Sequence, residues 1–478
     1  MLLINKDKFG CRILLALLVV SFFVSSQTGA RAEDDTAPAT YGQEESKERS
    51  FNTGTNFFDD AELGGSIVYF QRKRLRENID TKHMDTNLNH ATSQANMDFR
   101  SGFIGDMFGI DFAVFGSYDL WSTGAADHEM NFVRWKDPWH PDWSETDTKD
   151  SASIYTAALK FKGGPAWGRV GYFQPTGPGV LGVNWSIFPG TYQGAEMGAD
   201  FGGLSVAGAW VNGYKAPWYT DIYSFRKRDA ETKVDHLWSL GARYSFENNV
   251  SVEAAYGESQ DYLKNGHLKL KHEYSFDEQN KLNYGYSFYA MADNDDSGGL
   301  NDNYDGMAYQ HYLHLQYQTG PWTLKSEFTY TWAPQNNSEQ VGYFAYRLVN
   351  PNGGAKGAYD IWWDARSDWN HHKEKAVFAG AWRELDDILP MEGFKAGVSG
   401  ALGWDGQAYG VSERLREQAV NLDLIYTVPD GFFKGASASV HFTEYNNSSH
   451  QKSWENFKNA FQDERDIKIM VSIPFSMN

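Results

Sequence analysis

Apolar and polar side chains alternate one by one along this chain, in run after run of about ten residues, as a β-strand with one apolar and one wet face requires. In 465–477, Ile467, Ile469, Val471, Ile473, Phe475 and Met477 share one face. Asp466, Lys468, Ser472 and Ser476 share the other, and only Met470 breaks the pattern. Between Val420 and Val428 the same period sets Val420, Leu422, Leu424, Tyr426 and Val428 against Asn421, Asp423 and Thr427. Between Leu324 and Trp332 it sets Leu324, Phe328, Tyr330 and Trp332 against Lys325, Glu327, Thr329 and Thr331. Helical periodicity is almost absent, which a soluble chain of 478 residues would not show.

Two further features separate a soluble sandwich from a membrane barrel. The apolar faces end in aromatic residues, and the chain is 16% aromatic with 27 Tyr and 17 Trp. The opposite faces carry charge, which a packed sandwich core would exclude and a wet lumen accepts. The expectation is a transmembrane antiparallel β-barrel in residues 58–478. Residues 1–32 read as a signal peptide: Lys6, Lys8 and Arg12 precede the apolar run from Ile13 to Val24, and Ala30-Arg31-Ala32 is a small-x-small cleavage site. Residues 33–57 are a polar periplasmic leader, either disordered or a plug that enters the lumen. Beyond the signal no apolar run is long enough to cross a bilayer as a helix.

The only cysteine, Cys11, lies inside the signal, so no disulfide or thiolate-held metal is expected. Net charge is −19, which argues against nucleic-acid partners. No cofactor is implied. G-x-S-x-G and H-E-x-x-H are absent, and the expectation is a channel and not an enzyme.

Alternation places strands at 62–72, 92–102, 108–120, 153–162, 166–174, 193–201, 204–212, 236–246, 250–258, 266–276, 281–291, 307–318, 322–332, 375–385, 393–404, 416–428, 435–445 and 465–477. That is about 18, an even number as a single-chain bacterial barrel needs. Short turns at Gly163-Gly164, Gly202-Gly203, Asn248-Asn249, Asp277 to Asn280 and Thr319-Gly320 would be periplasmic. Longer links at 73–91, 121–152, 175–192, 213–235, 292–306, 333–374 and 446–464 would be extracellular. The apolar stretch 341–348 stays within the longest loop, because an extra strand would make the count odd.

The link 175–192 is rich in Gly, Pro and aromatics and has no charge. A loop so apolar folds into the barrel and narrows it, or packs on a neighbouring subunit or lipopolysaccharide. Its Trp185, Phe188 and Tyr192, with Gln193 and Glu196 just beyond, are candidate constriction residues. Strand alternation adds the lumen-facing Asp98, Arg100, Asp111, Asp119 and Arg169. Tryptophans in the outer loops (Trp135, Trp139, Trp143, Trp218, Trp362, Trp363 and Trp369) are candidate platforms for the C–H faces of sugar rings, or else simply pack the loops. The acidic run from Asp293 to Asp296 lacks the spacing of a helix-loop-helix calcium site, and His371-His372 reads as surface; no metal site is expected.

Several strings carry a resemblance. They include Asp106-Met107-Phe108-Gly109, Gln174-Pro175-Thr176-Gly177, Phe188-Pro189-Gly190-Thr191-Tyr192-Gln193-Gly194-Ala195-Glu196, Tyr214-Lys215-Ala216-Pro217-Trp218 and Asp360-Ile361-Trp362-Trp363-Asp364. Glu374-Lys375-Ala376-Val377-Phe378, His441-Phe442-Thr443-Glu444-Tyr445 and Phe461-Gln462-Asp463-Glu464-Arg465-Asp466 follow in order. From about Phe58 onward the chain resembles the OprD family of substrate-specific outer-membrane channels, and within it the chitoporins. The resemblance implies an 18-stranded barrel, monomeric or loosely associated, with an inward-folded third outer loop. It also implies passive uptake of chitooligosaccharides across the outer membrane of a Gram-negative bacterium. Other cargoes in the wider family, or a receptor or adhesin role, are the alternatives. The chain ends Phe475-Ser476-Met477-Asn478, whereas such barrels usually end on an aromatic that the outer-membrane assembly machinery reads; Phe475 would serve.

Overall fold

The computed structural model describes residues 54–477, apart from 79, 123–131, 134–147, 295–298, 350–355 and 450–460. The signal peptide, most of the polar leader, and Trp135, Trp139 and Trp143 lie outside the described residues. The strands are β1 (Glu62–Glu77), β2 (Met84–Arg100), β3 (Phe108–Ser122), β4 (Phe132–Val133), β5 (Thr148–Lys149), β6 (Ser151–Gly163), β7 (Ala166–Phe173) and β8 (Thr191–Phe201). They continue with β9 (Leu204–Lys215), β10 (Phe225–Arg226), β11 (Lys233–Val234), β12 (Leu237–Ser245), β13 (Val250–Ser259), β14 (Leu263–Ser275) and β15 (Asn280–Asp293). The last are β16 (Met307–Thr319), β17 (Trp322–Trp332), β18 (Lys375–Glu384), β19 (Phe394–Gly406), β20 (Leu415–Thr427), β21 (Ser437–Asn447) and β22 (Glu464–Met477).

Eighteen strands form one antiparallel sheet, and β4–β5 and β10–β11 are small hairpins in loops. Each barrel strand pairs with its neighbours in sequence. The ladder closes where β1 pairs with both β2 and β22, for example Ile67 with Ala95 and with Ile473. Closure leaves no edge whose amides would have to be satisfied by lipid.

All eighteen expected strands are present, and 341–348 forms none. The main difference is at the first hairpin. Residues expected to belong to an outer loop, 73–91, instead extend β1 and β2, leaving only 78–83 as the turn. The extension has no apolar face, because Arg72, Arg74 and Arg76 point inward and pair across the lumen wall. Arg72 Nε donates to Asp466 Oδ1 at 2.9 Å, and Arg76 pairs with Glu464. Ion pairs, invisible to an alternation search, hold the ladder there. Outer links are also not uniformly long, since β13 and β14 are separated only by 260–262.

The outer wall matches a bilayer. Leu240, Leu268, Leu270, Leu313, Leu315 and Leu324 are exposed in its middle zone. Tyr244 and Phe246 touch at 4.6 Å, and Tyr274 and Phe276 at 4.8 Å, at the short-turn end. Trp238 with Tyr256 and Tyr309 with Trp332 mark the other end. A leucine belt between two aromatic girdles is what a membrane-spanning barrel requires.

Candidate substrate path

Two loops from the long-loop end turn back into the bore. The first, 174–190, lies on the inner face of β9 and β12. Val180 N–H donates to Ser239 Oγ at 2.8 Å. Gly241 makes this approach possible: a Cβ there would sit 2.5 Å from the carbonyl carbon of Pro178. Gly241→Val is therefore expected to lift the loop from the wall while leaving the outer face untouched. Higher and noisier single-channel conductance from a normally folded barrel is the expected reading.

Sequence reasoning expected this inward fold. The structure shows which of the candidate residues hold the loop. Glu196, buried on β8, accepts the N–H groups of Thr176 at 3.0 Å and Gly177 at 2.8 Å. Arg169 pairs with Glu196 at 2.7 Å and also donates to the Thr176 hydroxyl. Phe188 is buried against Phe115 at 4.8 Å and stacks on Tyr155 at 5.9 Å. Tyr192, fully buried, donates its hydroxyl to Gly182 O at 2.9 Å. Gln193 is half-buried on β8. Burial leaves Phe188, Tyr192 and Glu196 little surface for a solute. Trp185, 36% exposed, is the large ring of this loop that stays partly exposed.

The second loop, 333–374, is the longest and was expected outside. It instead lines the lumen from β14 round to β22. Asn265 Nδ2 donates to Tyr359 Oη at 3.0 Å. Asp360 accepts from Lys269 Nζ at 3.0 Å and from the Tyr289 hydroxyl at 3.1 Å. Burial alone would raise the Asp360 carboxyl, but the ammonium groups of Lys269 and Lys271 hold it well below the usual range. Trp363 donates its indole N–H to Glu327 and stacks on Phe378 at 5.6 Å. Asp364 pairs with Lys468 and lies 3.4 Å from His441. Arg366 pairs with Glu464 and reaches Asp466 at 3.7 Å. The three charges of the strap from Asp360 to Ser367 are thus each answered by opposite charge on the wall.

The two loops clasp each other. Gly182 N–H donates to Lys356 O at 2.8 Å, and Ala358 N–H donates to Val180 O at 2.9 Å. Beside this joint the Lys356 ammonium lies 5.4 Å from the centre of the Trp362 ring, which is 39% exposed. Burial pushes Lys356 down to about 8. It is charged below that pH and neutral above it, so the clasp loses a positive charge as pH rises through that value. Reversal potentials are expected to shift towards cations over that interval, and Lys356→Met should flatten the step.

The remaining candidates scatter over the wall. Asp98 accepts the Tyr155 hydroxyl at 2.6 Å. Arg100 lies 3.7 Å from Glu62, and Asp111 pairs with Lys160 at 2.7 Å, both towards the short-turn end. Asp119 sits near the opposite end, its N–H on Asp150 at 2.6 Å. Trp218 is half-buried beside Tyr219. Trp363 and Trp369 are 6% and 2% exposed, so they pack the loop and offer no outer platform. Asp293 accepts the N–H groups of Asn303 at 3.1 Å and Tyr304 at 2.9 Å, while Asp295 and Asp296 lie outside the described residues. His371 is fully buried, not on the surface, and Glu374 and Glu417 lie close to it. Sequence reasoning missed the strap. Its signal was present in Asp360, Asp364 and Arg366, charges spaced along an otherwise apolar segment.

A closed barrel with aromatic girdles and a bore narrowed by its own loops is an outer-membrane porin. The profile of the outer membrane porins of the OprD family matches residues 55–477, and the chain belongs to that family. It is 41% identical over 441 residues to the chitoporin of Escherichia coli (strain K12), covering 88% of this chain and 92% of that one. Among solved structures, OccAB1 of Acinetobacter baumannii superposes with a TM-score of 0.70 at 17% identity, covering 90% of this chain and 100% of that one. OccK8 (OprE) of Pseudomonas aeruginosa superposes with a TM-score of 0.69 at 16% identity, over 89% of this chain and 100% of that one. The short turns are periplasmic and the long loops arise from the extracellular end, in the outer membrane of a Gram-negative cell.

Proposed function

We propose that the chain is a passive channel for chitin-derived oligosaccharides, with no catalytic step. The observation that carries this reading is the pair of partly exposed indoles, Trp185 and Trp362, on the two lumenal loops that clasp each other. Flat rings suit the C–H faces of pyranoses, and the neutral loop 175–192 suits an uncharged cargo. The likeness to a chitoporin supports the same cargo. Recordings of ion current through single barrels in a planar bilayer test it. Chitohexaose should produce transient, concentration-dependent closures. Intact ion conductance without any such closures would end the reading.

A second reading, a porin for charged solutes, draws on the inward row Arg72, Arg74 and Arg76. Against it, Arg72 and Arg76 are matched by Asp466 and Glu464. In the same proposal, export cleaves the chain after Ala32, leaving 33–57 as a periplasmic leader. The barrel then inserts through the outer-membrane assembly machinery as a monomer surrounded by lipopolysaccharide.

A further inference from the structure

Three side chains converge where the lumenal strap ends and β18 begins. A nitrogen of His371 and one oxygen each from Glu374 and Glu417 all lie within 4.8 Å of one another. His371 and Glu374 are 0% exposed and Glu417 is 2% exposed. Two carboxylates in so small and dry a space cannot both be ionised unless positive charge lies between them. Among the described residues no lysine or arginine pairs with either glutamate.

Most of the oxygens already have donors from the chain. Ser367 Oγ donates to Glu417 Oε1 at 2.9 Å, and the Tyr445 hydroxyl donates to Glu417 Oε2. His371 N–H donates to Glu374 Oε2 at 2.9 Å, and His371 Nδ1 lies 3.2 Å from the same oxygen. Glu374 Oε1 is buried and meets no N–H or hydroxyl donor among the described residues; only a proton shared with Glu417 would give it a hydrogen bond. It faces Gly403, where a Cβ would lie 2.4 Å from that oxygen and 3.1 Å from Glu417 Cγ. Any side chain at 403 would fill the space beside this oxygen.

We propose that His371, Glu374 and Glu417 hold one divalent transition-metal ion, of the Zn²⁺ class, that pins the end of the lumenal strap to β20. One imidazole with two carboxylates is a nitrogen–oxygen set that zinc accepts, whereas calcium and magnesium favour oxygen alone. Two carboxylates neutralise a dication, which removes the electrostatic problem of the buried pair. Ser367 and Tyr445 orient Glu417, as outer partners of metal ligands do. The position gives the ion leverage over the bore. Residues 343 and 371 form a bridge inside the loop, and 372 bridges to 407 beyond β19, so one ion would fix both arms of the loop to the wall.

The test uses the mature barrel in detergent, prepared in metal-free buffer, loaded with Zn²⁺ alone and exchanged to remove excess. Zinc retained per chain is measured by elemental analysis, and folding by heat-resistant migration on a gel. Wild type is expected to retain one zinc ion more per chain than Glu374→Gln or Glu417→Gln. Ser367→Ala keeps every ligand and removes the hydroxyl that donates to Glu417. Its zinc affinity should fall by about tenfold. A folded wild type that retains no zinc above Glu374→Gln would overturn the proposal, and so would unchanged affinity in Ser367→Ala. A shared proton in place of the ion would show as the first of these results.

Discussion

Replacing residues 358–368 with a short Gly/Ser linker is expected to raise single-channel conductance several-fold and abolish blocking by sugar. The barrel closes through the β1–β22 ladder, which the loop does not enter. The fold should therefore survive the replacement. What is lost is the strap from Asp360 to Ser367, held along the wall by Lys269, Glu327, Lys468, Glu464 and Glu417. Removing it admits water to those wall charges. Their desolvation cost then largely disappears along with their partners, and the stability change should be smaller than for breaking one pair in the closed structure. Conductance equal to that of the full loop would mean that the strap does not limit the bore.

Asp466→Leu should be the most destabilising single change in the lumen wall, by roughly 3–5 kcal/mol. Asp466 is 1% exposed; its two oxygens share the single Nε–H of Arg72, at 2.9 and 3.1 Å, and it accepts another hydrogen bond from Arg72 Nη2. Arg366 also reaches it at 3.7 Å. The substitution leaves Arg72, 3% exposed, without this carboxylate in a site that gives it little water. It also weakens the seam at which the barrel closes, because Arg72 on β1 and Asp466 on β22 lie on paired strands. Arg465→Ala is the control. Arg465 and Glu444 form an ion pair at 2.9 Å with both side chains about half exposed, so their loss should cost only about 0–1 kcal/mol. Urea unfolding of both variants in the same detergent compares them directly, and equal midpoints would remove the closure network from the energetics.

The barrel was legible because lipid and lumen impose opposite demands on successive residues. Val420, Leu422 and Leu424 are all about half exposed to the outside, while Asn421 between them is buried. Alternation failed where both faces are polar, as at Lys73 and Arg74, because ladder formation there rests on ion pairs between residues nearly four hundred positions apart in sequence. The inward fold of 174–190 was legible from its lack of charge. The strap was not, because a charged, tryptophan-rich loop looks solvent-facing until its partners on the wall are known. Trp363 and Trp369 illustrate this: the same composition that suits a sugar platform also suits a buried packing cluster, and only their burial decides. His371 was misread for a similar reason, since Glu417 is brought to it by the strand ladder and not by sequence proximity.

The two-ring path is tested most directly by recording chitohexaose block in the wild-type barrel and in a Trp185→Ala, Trp362→Ala double variant. Each stacking ring is worth about 0.5–1.5 kcal/mol. Losing both should weaken block by roughly tenfold or more, with ion conductance little changed. Equal block in the two proteins would contradict a sugar path over these rings.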